Sequence, residues 1–245
     1  MKDHSILILG ARSDIGMAIA RRFAKEKYEI LLAARNAETL NSDISDIKIR
    51  YGVKTTLYNF DVLKSKSYKN FINELPKIPS IVISAVGLMG TQTKSEIDTE
   101  DASIIFRSNF EGPANILSIF ANKFLDRGYG TIVGISSVAG ERGRASNYIY
   151  GSAKAGFTAY LSGLRNRVFK KNVHVLTVIP GYVSTKMTEG LKLPLILTST
   201  PYQVAEIVFN AIINKKNVVY APKIWRYIMF IIKSLPENLF KYTRL

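Results

Sequence analysis

Short apolar runs recur along the chain at Ser5–Leu9, Glu29–Ala33, Thr55–Tyr58, Ile81–Ser84, Thr131–Ile135, Val173–Ile179 and Val218–Tyr220. Runs of this length predict strands buried on both faces, as in a parallel sheet. The longer stretches between them, near 14–26, 36–50, 64–74, 99–125, 148–170 and 201–214, mix apolar and charged positions and predict helices. Strand and helix alternate throughout. That order predicts an α/β fold, a single doubly wound parallel sheet of about seven strands with helices on both faces. No Ser/Gly-rich linker or internal repeat divides the 245 residues. The length suits one domain, over residues 1–222, followed by a tail at 223–245.

The turn after the first run is Gly10-Ala11-Arg12-Ser13-Asp14-Ile15-Gly16, and a helical pattern follows it. A strand, a glycine turn and a helix N-terminus make a phosphate site. Small residues let the backbone approach a pyrophosphate, and the helix start offers free N–H groups and the positive end of its dipole. The usual fingerprint has three glycines. Here Asp14 stands at the middle position, and its side chain must point away from a pyrophosphate; capping the helix would satisfy it. The second run closes on Ala34-Arg35-Asn36, with no acid to bond a ribose 2′-hydroxyl. Arg35, with Arg12 nearby, suits a 2′-phosphate and favours NADP (as NADPH) over NAD. The alternative is that Arg35 is a solvated surface charge.

Tyr150 and Lys154 are four residues apart, and Ser137 lies thirteen before the tyrosine. On a helix, positions i and i+4 share a face. A cation beside a phenol favours phenolate, so Lys154 is expected to lower the Tyr150 pKa and equip it for proton exchange near neutral pH. With 13 tyrosines in the chain such a pair also arises by chance, and Tyr182 and Lys186 form a second one. That copy follows Pro180-Gly181, a loop signal, and has Phe169 at the position where the first has its serine. It serves as a control that lacks the rest of the pattern.

Taken in order, these segments resemble the short-chain dehydrogenase/reductase family over roughly residues 5–222. The resemblance rests on the Gly10–Gly16 turn, Asp61-Val62 after the third strand, Gly87 after the fourth, and Asn109 within a long helix. It continues with Ile135-Ser136-Ser137, Tyr150-x-x-x-Lys154 and Pro180-Gly181-Tyr182-Val183-Ser184-Thr185. It implies a Rossmann fold and a reductase. NADPH delivers a hydride to a carbonyl carbon, Tyr150 protonates the oxygen, and Ser137 holds it. Lys154 binds the nicotinamide ribose, and Asn109 holds a water that links Lys154 to solvent. Asp61 and Val62 meet the adenine, with Ala85 and Gly87 beside the cofactor. Pro180, Gly181, Val183 and Thr185 line its nicotinamide end. The family's Asn-Ala-Gly after the fourth strand is replaced by Ser84-Ala85-Val86-Gly87, which removes a loop-stabilising hydrogen bond. The family also implies a homodimer or homotetramer paired through the helices at 99–125 and 148–170. A segment at Ser137–Arg144 and the ending Tyr220–Tyr227 resemble the decaprenylphosphoryl-2-keto-ribose reductase branch, which acts on a keto-sugar carried on a polyprenyl phosphate. Reduction of a 3-ketoacyl or sterol-like ketone is the nearer alternative, and a non-catalytic dinucleotide sensor the more distant one.

Charge and composition refine the picture. Lys plus Arg is 34 against 19 Asp plus Glu, a net charge of +15, which draws anionic partners. The tail region is basic, with Lys215, Lys216, Lys223, Arg226, Lys233, Lys241 and Arg244 against Glu237. Interleaved with them are Trp225, Tyr227, Phe230, Ile231 and other apolar groups. The cluster is too short to span a bilayer, which takes about 20 apolar residues. It suits either an interfacial segment on anionic lipid or a tail packed on its own domain or on a partner subunit. No nucleic-acid motif accompanies the charge. The segment 184–200, which in the family covers the substrate, carries Met187, Leu191, Leu193, Leu195, Ile196 and Leu197, a set suited to a hydrophobic or lipid-borne ketone. There is no cysteine, and His4 and His174 stand apart, so disulfides, metal sites and a Ser-His-Asp triad are not expected. Met1 leads directly into the first strand, with no room for a signal peptide. The expected location is cytoplasmic, with peripheral placement on the inner face of the membrane as an extension of it.

Overall fold

The computed structural model describes residues 4–190 and 193–243. Seven strands form one parallel sheet: β1 Ser5–Leu9, β2 Glu29–Ala34, β3 Thr55–Asn59, β4 Ile81–Ser84, β5 Gly130–Ile135, β6 Val173–Pro180 and, after a short parallel pair β7 Tyr182–Val183 and β8 Thr198–Ser199, β9 Val218–Ala221. The order across the sheet is β3-β2-β1-β4-β5-β6-β9. The helices are α1 Asp14–Lys25, α2 Asn41–Tyr51, α3 Tyr68–Glu74, α4 Gln92–Ser95, α5 Thr99–Phe106, α6 Gly112–Arg127, α7 Tyr148–Val168, α8 Pro201–Ile213, α9 Trp225–Ser234 and α10 Glu237–Phe240.

The strand runs are continuous in hydrophobicity because both faces are covered. Ile6 and Ile8 join Ile30, Leu32, Ile81 and Ile83 in a core with α1, α2 and α8. Leu7 and Leu9 join Leu31, Val82 and Ile132 in a second core with α3, α6 and α7. The two-residue period of the strand thus divides each run between two cores. The chain starts at mid-sheet, winds outward to β3, then crosses back to β4. The switch falls between β1 and β4, and open sheets of this kind bind ligands in the crevice beyond it.

Three helical expectations are corrected. The helix expected over 64–74 begins with a 3₁₀ turn at Ser65–Ser67, and α3 starts only at Tyr68. The single helix expected over 99–125 is divided by a π-turn at Arg107–Glu111. Pro113 has no N–H to return to the Asn109 carbonyl, so the regular i→i−4 ladder cannot continue there. The helix expected over 36–50 begins with a 3₁₀ turn at Ala37–Leu40, and α2 starts only at Asn41. The expectations attached to Met1, Leu191 and Arg244 lie outside the described residues. The tail is not separate from the domain: Trp225, Met229 and Ile232 pack with Val138 and Ile179 in a third apolar cluster. No described helix is long and apolar enough to cross a membrane.

Candidate active site

The glycine turn closes at the sheet switch. Gly10 has φ +84°, and a Cβ there would sit 2.8 Å from the Val86 nitrogen. Only glycine tolerates both conditions. At Gly16 a Cβ would lie 2.8 Å from the Ser13 Oγ. That hydroxyl accepts a hydrogen bond from the Gly16 N–H at 3.0 Å and caps α1. The cap is therefore Ser13, not Asp14. The Asp14 carboxylate turns outward and accepts from the Lys186 backbone N–H at 2.8 Å, tying the turn to the segment 184–200. An acid in the turn is thus compatible with a phosphate at the helix start. Ile15 is half-buried behind it, and Arg12 is exposed in front. Arg12 Nη1 donates to the Arg35 carbonyl at 3.5 Å, so the two arginines meet beyond the ends of β1 and β2. This cradle, closed to any side chain at Gly10 and Gly16 and opening on a helix N-terminus, fits the diphosphate of a dinucleotide.

The next crossing supplies Asp61 and Val62. Asp61 accepts from the Leu63 N–H at 3.0 Å, and the Val62 carbonyl accepts from the Tyr68 hydroxyl. After β4, Ala85 is held by its N–H to the Leu9 carbonyl at 2.8 Å. Where the family's asparagine pattern is missing, the buried Ser84 hydroxyl has no partner. Gly87 lies where three groups converge: a Cβ on it would be 3.4 Å from Asn109 Oδ1, 3.7 Å from Lys154 Nζ and 3.8 Å from Met187 Cε. The π-turn aims Asn109 into this space. Its Nδ2 donates to the Leu88 and Ile105 carbonyls at 2.7 and 2.9 Å, and its Oδ1 accepts from the Leu88 N–H at 3.2 Å. Its side chain is thus committed to pinning residue 88.

Ser137, Tyr150 and Lys154 come together as their spacing predicts. Ser137 follows β5 and accepts from the Ala139 N–H at 3.1 Å. Tyr150 stands in the first turn of α7, with Ser137 near enough to its hydroxyl to act on its pKa and Lys154 Nζ 5.7 Å from its ring centroid. Lys154 follows one turn later, is 3% exposed, and donates from Nζ to the Ile135 carbonyl at 3.1 Å. The expected acidification of the phenol is not found. Burial pushes the Tyr150 pKa up to about 12, against the lowering effect of Ser137, and burial brings Lys154 down to about 8. Burial disfavours the charged form of both groups and outweighs the mutual attraction that adjacency suggests. Ser136, named in the sequence motif but given no role there, holds the trio in place. Its hydroxyl donates to the Lys154 carbonyl at 3.2 Å and pairs with Thr158 Oγ1 at 2.5 Å. The signal for it was the strand period, which sends adjacent serines to opposite sides.

Pro180 ends β6, and Gly181 donates its N–H to the Ala221 carbonyl at 2.9 Å. Val183 is buried, and its carbonyl accepts from Thr188 Oγ1 at 2.6 Å. Thr185 pairs with the same hydroxyl at 3.4 Å. The control pair separates: Tyr182 packs edge-on against Trp225, while Lys186 is exposed in the following 3₁₀ turn.

The family model for short chain dehydrogenase matches residues 4–194. An uncharacterized oxidoreductase of Mycobacterium tuberculosis is 32% identical over 239 residues, covering 96% of this chain and 95% of its own. A ketoacyl reductase of Nostoc is 29% identical over 222 residues, with 88% and 77% covered. Among solved structures, a short-chain dehydrogenase from Sphingobium yanoikuyae in complex with NADPH superposes with a TM-score of 0.79 at 20% identity, covering 95% of this chain and 96% of that one.

Proposed function

Because the chain belongs to the short-chain dehydrogenase/reductase family, we propose that this oxidoreductase uses NADPH to reduce a lipid-borne ketone to a secondary alcohol, a polyprenyl-phosphate-linked keto-sugar being the favoured substrate. The observation that carries the reaction is the convergence of Tyr150, Ser137 and the buried Lys154, whose Nζ lies 5.7 Å from the Tyr150 ring centroid. The glycine turn, Asp61, Val62, Ala85, Gly87 and the segment Pro180–Thr185 would hold the cofactor, with Arg12 and Arg35 taking a 2′-phosphate. When bound, the reduced nicotinamide supplies a hydride to the carbonyl carbon.

The chain's own groups handle the proton. A phenol with a pKa near 12 stays protonated at neutral pH and is in the right state to donate. As the carbonyl oxygen gains negative charge it becomes a stronger base than the phenolate, and the Tyr150 proton moves to it. Ser137 hydrogen-bonds the same oxygen and fixes its position. Lys154, with a pKa near 8, titrates close to working pH and can return a proton to Tyr150. Asn109 holds the neighbouring loop and, in this reading, the water by which Lys154 reaches solvent. The alcohol oxidation runs through the same groups in reverse.

The lipid-borne substrate is supported by exposed apolar groups on the segment 184–200, where Leu195 is 90% and Ile196 82% exposed. The Nostoc relative's description as a ketoacyl reductase favours a 3-ketoacyl chain as the second reading. The test is NADPH consumption with three ketones: a polyprenyl-phosphate-linked 2-keto-ribose in detergent, a 3-ketoacyl thioester and a small water-soluble ketone. The highest kcat/KM is expected for the first. A higher value for the thioester would reassign the substrate. Failure of all three with both NADPH and NADH would contradict the reductase reading.

A further inference from the structure

Helix α9 is apolar on two opposite faces. Trp225, Met229 and Ile232, spaced i, i+4, i+7, form the buried stripe. The opposite face carries Tyr227, Phe230 and Ile231, which are 70%, 74% and 64% exposed. A surface helix normally turns polar groups outward, so this second face calls for a partner. The 3₁₀ turn at Leu195–Leu197 sits against the same helix, because the Trp225 Nε1–H donates to the Leu197 carbonyl at 2.9 Å. Its exposed Leu195 and Ile196 therefore adjoin the start of α9. Cations accompany the apolar groups: Lys223 and Arg226 are exposed, and Lys241 lies 5.2 Å over the Tyr242 ring.

We propose that this face docks on an anionic membrane surface, with α9 lying flat and its aromatic and aliphatic groups entering the headgroup boundary. Charge complementarity selects lipid as the occupant: an outward apolar strip beside free cations, on a chain with a net charge of +15, matches an anionic interface. The inner side of the tail is tied to the catalytic region. Glu141, four residues after Ser137, accepts from Lys233 Nζ at 3.2 Å and from the Tyr220 hydroxyl at 2.8 Å. Arg142 donates to the Glu237 carboxylate at 2.7 Å. The docking face is thus braced against the loop that follows Ser137 and against the segment 184–200. A lipid-borne ketone would meet the site from the membrane side; that consequence rests on the reductase reading above, whereas the docking itself does not.

The test is flotation of the full chain with vesicles of phosphatidylglycerol and phosphatidylcholine, and with pure phosphatidylcholine. The wild type floats only with the anionic vesicles, and less so at high salt. Tyr227→Ser/Phe230→Ser/Ile231→Ser abolishes flotation with an unchanged thermal midpoint, since the buried stripe is untouched. Lys223→Gln/Arg226→Gln weakens binding by about fivefold per cation removed at low salt. Absence of flotation, or flotation indifferent to the triple substitution, overturns the proposal. So does a halving of the mass in light scattering when the triple variant is compared with a wild type that ignores vesicles, because the face then belongs to a second copy. Loss of the reductase reading would instead show as absent turnover with flotation intact.

Discussion

Lys154→Met should remove a pH-dependent destabilisation from the cofactor-free protein. Lys154 is buried, and burial lowers its pKa from 10.5 to about 8. At pH 7 the lysine is charged in both states, and the folded state bears the whole cost of burying that charge. The shift of roughly 2.5 units corresponds to about 3 kcal/mol against folding. The sign follows from proton counts. Between pH 8 and 10.5 the unfolded chain holds a proton that the folded chain has released, so stability rises with pH across this window. The linkage relation gives a gain of about 2 kcal/mol between pH 7 and 9.5 for the wild type. Methionine fills similar volume without the charge but leaves the Ile135 carbonyl unpaired, which costs about 1–3 kcal/mol at every pH. The absolute difference at pH 7 is therefore small, while its pH slope is not. Urea unfolding of both proteins at pH 7, 8.5 and 9.5 reads it. The wild type should gain on the variant by about 2 kcal/mol as pH rises. A difference constant with pH, or one that grows in the opposite direction, would refute the assignment of a strongly destabilised buried ammonium.

Three further substitutions test the cofactor cradle and its connections. Arg35→Ala should weaken NADPH binding by about 1.5 kcal/mol, the low end for a charged hydrogen bond because the group is exposed, and leave NADH unchanged; tryptophan and tyrosine quenching measures both, and equal losses would make Arg35 a surface charge. Asp14→Ala removes the carboxylate that accepts from the Lys186 N–H, so trypsin should cleave after Lys186 about fivefold faster, a local opening eased by about 1 kcal/mol; an unchanged rate would mean that the contact does not restrain the segment. Gly181→Ala places a Cβ 1.8 Å from Trp225 Nε1, so the indole must move and release the Leu197 carbonyl; a loss of about 1–3 kcal/mol should lower Tm by several degrees, and a Tm within one degree of wild type, read by calorimetry, would show that the indole relocates freely.

The sheet and the catalytic trio were legible in the sequence because their signals are local. Buried parallel strands advertise themselves as apolar runs, and a tyrosine and a lysine one helical turn apart need no tertiary information to be placed on one face. What escaped depends on contacts distant in sequence. Ser13 and Asp14 are both competent caps, and only the Lys186 N–H, 172 residues away, decides which one turns outward. The phenol's acidity was misjudged because adjacency of Lys154 is visible in sequence whereas the burial that opposes it is not. The π-turn required weighing Pro113 against an otherwise unbroken helical pattern. The inner stripe of the tail was within reach: Trp225, Met229 and Ile232 are spaced as a core face, but the cations and aromatics between them obscured the pattern.

The central claim is that Tyr150 donates the proton to a ketone reduced by NADPH, and Tyr150→Phe tests it most directly. The phenyl ring keeps the packing and loses only the hydroxyl that meets Ser137. NADPH affinity should stay within about twofold, while turnover of the best ketone falls by at least the factor of about 10²–10⁴ typical of a lost general acid. Turnover near the wild-type rate with intact NADPH binding would contradict the account and place the proton donor elsewhere.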